Sequence, residues 1–224
     1  MKQIFGRQVL DTLPELVDPL RTAVVAVDIQ NDFCHPKGHL ARYGNDVMRM
    51  SHALLRMLRF VAEAQALGMR VVFLRYESPD DRQLDPPAWL RFKTRDGKAP
   101  DITVPGTWGW QVLKGIDVRS QDVIVRQSRP DGFLGTNLDQ VLRAQGIESV
   151  IVLGATTEGC VESTVRAASY HDYYVVVLSD AVASPNAELH DGSLRLLRAR
   201  YPTHTTDEVL DAIREAQLSA QAAA

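Results

Sequence analysis

Five short runs dominated by Val and Ile recur along this chain: TAVVAVD (22–28), MRVVFLRY (69–76), QDVIVR (121–126), SVIVLG (149–154) and YYVVVLSD (173–180). Each is apolar at nearly every position instead of alternating, so both of its faces need cover, as in the strands of a parallel sheet. Helical spacing fills the gaps between them. Val47, Met50, Leu54, Met57, Leu58 and Val61 recur at three- and four-residue steps, with Asp46 ahead and Gly68 behind, which predicts an amphipathic crossover helix. Leu138, Val141 and Leu142 follow Thr136 and Asn137 and stop at Gly146, while Val161, Val165 and Ala168 follow the turn at 154–159. A β-α-β order of this kind predicts an α/β fold, a doubly wound parallel sheet with helices on both faces in three Rossmann-like layers. A single domain over residues 1–224 is expected, with 1–20 as an amino-terminal arm and 217–224 as a frayed tail.

Charge narrows the partners. Lys and Arg number 25 against 28 Asp and Glu, so no basic field is available to hold a phosphate backbone, and nucleic acid is not expected as a partner. No stretch approaches the roughly 20 apolar residues of a membrane span. The first residues are interrupted by Asp11, Glu15 and Asp18 and show no apolar run of signal-peptide length, so a cytoplasmic protein is expected. Two cysteines, Cys34 and Cys160, are too few for a disulfide framework.

In an open α/β sheet, ligands bind beyond the carboxyl ends of the strands. Those ends carry Asp28, then Arg126 and Gln127, then the loop GATTEGC leading to Cys160, then Asp180. At a helix start after a Gly-rich turn, Cys160 is expected to be favoured as a thiolate by backbone N–H groups and the helix dipole; the competing reading is a small core residue. Asp28 closes an apolar strand, where desolvation would raise its pKa and suit it to move a proton. It can equally bind turn amides. Lys114 falls in a pattern resembling a helix before the third strand. The segment 76–107, with five prolines, is long for a connector and typical of a site-covering loop.

The blocks VDIQNDF (27–33), DGFLGTNLDQVL (131–142), VLGATTEGCVESTVRAA (152–168) and VVLSDAVAS (176–184) resemble, in order, the signatures of the isochorismatase-like cysteine hydrolases. The resemblance runs from about residue 20 to 214, and its GATxxxCV block is the most specific part. It implies a six-stranded parallel sheet and hydrolysis of a C–N bond in a small amide, ureido or carbamoyl compound, through a thioester-type intermediate on Cys160. It further implies Asp28 as general acid or base, the amides of Thr156 and Cys160 as oxyanion hole, and a cis peptide between Ala155 and Thr156. Dimers or tetramers are also implied, and Leu10, Leu13, Leu16 and Val17 form an apolar segment in search of cover.

One departure stands out: the position where such proteins carry a catalytic lysine is Gln127. Gln donates a hydrogen bond but brings no charge. Three readings of it stay open: Arg126 or Arg129 supplies the cation instead, Gln127 binds a neutral amide of the substrate, or the chain is a non-catalytic homologue. An isochorismatase-type ether hydrolase, needing Asp28 alone, is a further alternative. Phe33, Trp89, Trp108, Arg129 and Thr157 are candidates for substrate contact, with Trp110 nearby. His35 and His39 beside Asp32 and Cys34 match zinc ligands in type only, because Pro36 and Gly38 argue for a loop instead of one helix face. No metal and no cofactor are expected.

Overall fold

The computed structural model describes residues 1–78 and 85–223; residues 79–84 of the expected covering loop lie outside them. The chain opens on a hairpin of β1 (Lys2–Ile4) and β2 (Arg7–Val9), followed by a short α1 (Leu13–Leu16). The first buried strand, β3, is Thr22–Val27, and after it come two one-turn helices, α2 (Asn31–Cys34) and α3 (His39–Arg42). The crossover helix α4 spans Ser51–Ala66 and is preceded by a 3-10 turn over Val47–Met50; Met50, Met57 and Val61 are buried along its inner face. Then follow β4 (Arg70–Tyr76), α5 (Pro87–Lys93), β5 (Val123–Gln127), α6 (Leu138–Ala144), β6 (Ser149–Ala155) and α7 (Glu162–Tyr170). The chain continues through β7 (Tyr174–Ala183), α8 (Ala187–Arg200), β8 (Thr203–His204) and α9 (Thr206–Ala223).

Strands pair in parallel in the order β5-β4-β3-β6-β7-β8. The five apolar runs are five of these strands, and the two-residue β8 is the sixth, too short to leave a pattern. Helix α9 packs against both α1 and α4, and Arg59–Asp207 and Arg214–Glu63 pairs pin it to α4 at the surface. Helix α6 meets the turn between α7 and β7 through Tyr173, whose hydroxyl donates to Asp139 at 2.8 Å.

The sheet grows outward from β3 to β5 and restarts at β6 on the other side of β3, so the crevice at the topological switch lies between the carboxyl ends of β3 and β6. These two backbones approach closely. Gly154 sits at φ +131, opposite Val27, and a Cβ there would fall 2.1 Å from the Val27 carbonyl oxygen.

Three expectations are corrected. Residues 107–122 contain no helix, and Lys114 stands in a turn. The tail does not fray at 217, because its Ala- and Gln-rich sequence, of high helix propensity, prolongs α9 to Ala223. In the arm, Leu16 and Val17 are core residues and Leu10 and Leu13 pack against that core, so this segment finds its cover within the chain. Among the described residues no helix is long and apolar enough to cross a membrane.

Candidate active site

Asp28 is the first residue past β3. Its backbone is left-handed, φ +49, and its N–H donates to the Leu74 carbonyl at 3.0 Å. A non-glycine residue held in this region costs free energy, and such outliers gather at sites where geometry matters. The Asp28 side chain is wholly buried. From the end of β5, two strands away, Gln127 reaches it past β4, and its Nε2 donates to both carboxylate oxygens at 3.0 Å each. On the β6 side stands Cys160, also buried, whose thiol and the Asp28 carboxyl influence one another's titration.

Burial raises Asp28 from 3.8 to about 7, against the opposing effect of hydrogen bonds from Cys160, the Tyr76 backbone and Gln127. The Cys160 thiol is pushed well up, first by burial, then by the Asp28 charge and the hydrogen bond to it. Two adjacent buried anions without a cation are costly, so the pair retains a proton. The expected thiolate is therefore not the resting form: the backbone around Cys160 favours it, but desolvation and Asp28 outweigh that. Neither arginine changes the balance. The Arg126 side chain is 74% exposed, 3.7 Å from Glu77, and Arg129 lies 3.5 Å from Asp85. Cys34, beneath the Asp28 carbonyl at 3.9 Å, is pushed up to about 12 by burial and is an inert core thiol.

The Ala155–Thr156 peptide is cis. Thr157–Val161 form a wide π-type turn before α7, in which Gly159 and Val161 donate to the Thr156 carbonyl at 3.1 and 3.2 Å. Helix α8 holds this turn from behind. His190 Nδ1 and Thr157 Oγ1 are 2.8 Å apart, and Ser193 donates to the Thr157 carbonyl at 3.3 Å. Thr157 is fully buried in these contacts. His190 gives no sign of this role in the sequence, since nothing local links it to residue 157.

Cys160 opens into a cavity of about 660 Å³, walled by Phe33, Tyr76, Trp89, Lys93 and Thr156 among others. Phe33 and Trp89 stand on this wall. Gln127, Trp108, Arg129 and Thr157 are not on the wall. Gln127 stands off the wall, its Nε2 on both oxygens of Asp28 and its Oε1 buried without a partner among the described residues. Trp108 is 45% exposed and meets His35 edge-on. Arg129 lies over the outer face of Trp89, 4.9 Å from the ring, and Trp110 donates to Glu77 at 2.9 Å. Lys93 and Glu158 are on the wall and escaped the sequence reading: one sits inside the covering loop, and the other reads as an ordinary helix-start acid.

The polar residues of VDIQNDF brace that loop. Gln30 donates to the carbonyls of Tyr76 and Trp110 at 3.0 and 2.8 Å and accepts from the Tyr76 N–H at 2.8 Å. Asn31 donates to the Trp108 carbonyl at 2.8 Å, and Asp32 accepts from the N–H groups of Thr103 and His39 at 2.7 and 3.0 Å. Buried polar groups thus find partners, and the covering loop gains fixed anchors. Of the two histidines, His39 turns to Asp101 at 3.5 Å and His35 accepts from the Lys37 N–H at 3.1 Å. Among the described residues no three His, Cys, Asp or Glu side chains are grouped to hold a metal ion.

Residues 22–209 match the isochorismatase domain family. The ureidoacrylate amidohydrolase RutB of Methylorubrum extorquens is 32% identical over 85% of this chain and 83% of its own length. Among solved structures, a cysteine hydrolase from Pseudomonas syringae pv. phaseolicola superposes with a TM-score of 0.74 at 29% identity, over 90% of this chain and 96% of that one. The N-carbamoylsarcosine amidase of Thermoplasma acidophilum gives 0.66 at 27% identity, over 84% of this chain and 97% of that one. With the parallel six-stranded sheet, the ordered signature blocks and this match along most of its length, the chain belongs to the isochorismatase-like superfamily.

Proposed function

We propose that this protein is a cysteine-dependent hydrolase of the C–N bond in a small amide, ureido or carbamoyl compound. The observation that carries the reading is a buried carboxyl, held by Gln127 and raised to about 7, on the same side of the sheet as a buried thiol that opens into a cavity of about 660 Å³. Asp28 takes the proton of Cys160 as the sulfur attacks the carbonyl carbon, and returns it to the nitrogen as the C–N bond breaks. The carbonyl oxygen is held by the N–H groups of Thr156 and Cys160. Water then cleaves the resulting thioester. Gln127 orients Asp28 and supplies hydrogen bonds without charge. The names of the amidohydrolase relatives support the bond type.

A non-catalytic binding role is the second reading, and Gln127 in the lysine position favours it. An ether hydrolase would leave Cys160 without a use. Ammonia release from a panel of ureides and primary amides, run beside a Cys160→Ala control, tests the proposal: release that depends on Cys160 is expected, and none from any compound would overturn it. We further infer self-association, supported by the exposed β1–β2 hairpin with Phe5 at its tip, since an isolated two-stranded hairpin is marginal in water.

A further inference from the structure

Gln127 is buried, and its carboxamide is used at one end only. Nε2 donates to both oxygens of Asp28 at 3.0 Å each, while Oε1 has no partner among the described residues. The surroundings of Oε1 are closed. A Cβ built on Gly132 would stand 3.2 Å from Oε1, 3.1 Å from Thr164 Oγ1 and 2.4 Å from a Leu74 methyl, so all three crowd one point. The Gly132 N–H donates to Thr164 Oγ1 at 3.1 Å, and the Thr164 hydroxyl donates to the Pro130 carbonyl at 3.5 Å. Neither donor is left for Oε1. A buried acceptor with nothing donating to it is costly, and such an exception in a packed core calls for an explanation.

A lysine in this position could only donate, whereas a carboxamide carries a donor and an acceptor on one planar group. Half a turn about its terminal bond exchanges the two, and that torsion is broad and roughly two-fold, so both orientations suit one rotamer. Asp28 has a use for each end. As a carboxylate it accepts only, and Nε2 serves it; as an acid it carries an O–H, which finds no acceptor on the Gln127 side while Nε2 faces it. Burial raises Asp28 to about 7, so both forms are populated near neutral pH. The other titratable groups around it, Cys160, Cys34 and Tyr76, are all pushed upward, which leaves Asp28 as the one among the described residues there that changes charge in the neutral range.

We propose that Gln127 is a positioning residue that turns over with the proton: Nε2 donates to Asp28 as the carboxylate, and Oε1 accepts from Asp28 as the acid. In the turned state Nε2 faces Thr164, whose hydroxyl oxygen can accept a second hydrogen bond. The proton's path rests on the hydrolase reading above; the turn adds how the carrier is held at each stage. Asp28 takes the Cys160 proton as the bond from sulfur to the carbonyl carbon forms, and Gln127 turns. It turns back when that proton passes to the leaving nitrogen as the C–N bond breaks, and Gln127 itself gains and loses no proton.

Infrared difference spectra of the whole protein between roughly pH 5 and pH 9 read the turn apart from turnover. Glutamine labelled with carbon-13 at the side-chain carbonyl, with the spectrum of Gln127→Met subtracted, isolates the Gln127 C=O band; Gln127→Lys serves for the subtraction if the methionine variant does not fold. As Asp28 is protonated the band is expected to move to lower wavenumber, because the carbonyl passes from no donor to an O–H, with a midpoint at about 7. Asp28→Asn should abolish that midpoint. A band that stays in place, or that moves equally in Asp28→Asn, overturns the turn. Kinetics supply a second reading. Gln127→Met loses the hydrogen bond to both forms of Asp28, so the limb of the pH-rate profile should stay near about 7 while kcat falls roughly tenfold. A residue that only donated would favour the carboxylate, and its removal would lift the limb by roughly one pH unit, a result that also overturns the proposal. A band that moves as expected in a protein that releases ammonia from no compound would leave the turn standing and remove the hydrolase reading. Ammonia release with a stationary band would do the reverse.

Discussion

Gln127 donates from one nitrogen to both oxygens of Asp28, at 3.0 Å each, in the position where the family resemblance puts an ammonium. The carboxamide orients the carboxylate as a cation would but leaves its charge uncompensated. Burial then decides the outcome, and Asp28 rises to about 7.

Activity should follow that value. Asp28 must be unprotonated to accept the Cys160 proton, so kcat/KM is expected to rise with pH through about 7. Gln127→Lys places a cation beside Asp28, favours its charged form and draws this limb to lower pH. With the limb about one pH unit lower, the variant at pH 6 should be roughly fivefold faster than the parent, from the larger ionised fraction of Asp28. A pH-rate profile that keeps its limb in Gln127→Lys, or moves it upward, would contradict this account.

Cys160→Ala and Cys160→Ser should abolish hydrolysis with the fold retained, because each places a small side chain at a site already lined by small and polar groups. Circular dichroism checks the fold and ammonia release the activity. In the free enzyme, iodoacetamide should alkylate Cys160 slowly at neutral pH and faster as pH rises, since the thiol is pushed up. Turnover by the alanine variant at the parent rate excludes covalent thiol chemistry.

The buried carboxylate also costs stability. Asp28 has a folded pKa of about 7 against an ordinary 3.8, so between these values the native state binds more protons than the unfolded one. Stability from this group is therefore full at low pH and lost as pH rises towards 7. Asp28→Asn removes the charge and should raise Tm at pH 8 by an amount on the order of 10 °C, with the gap closing by about pH 4. A difference in Tm that does not vary with pH would refute the linkage.

His190→Ala should reduce kcat more than it changes KM, roughly tenfold, because the Thr157 contact holds the turn that positions the Cys160 sulfur. His190→Asn, able to hydrogen-bond Thr157, is expected to recover part of the rate. An effect confined to KM would place His190 in substrate binding instead.

Light scattering at micromolar concentration should show a particle larger than one chain, and deletion of residues 1–9 should reduce it. A monomer throughout that range rules out self-association.

The layer order and its strands were legible because a parallel sheet buried on both faces demands continuous Val and Ile runs, and crossover helices demand a three- to four-residue apolar period. Asp28 and Cys160 were legible as residues at strand ends. Gln127 was visible as a departure, but not its contact, because strand order and register bring residues 99 positions apart to 3.0 Å. The same is true of Lys93 and Glu158 on one cavity wall and of His190 behind Thr157. Local sequence determines which residues form strands and helices and which ends they occupy. Only the tertiary structure decided the protonation of the Asp28–Cys160 pair, because desolvation depends on everything packed around a group and not on its neighbours in the chain.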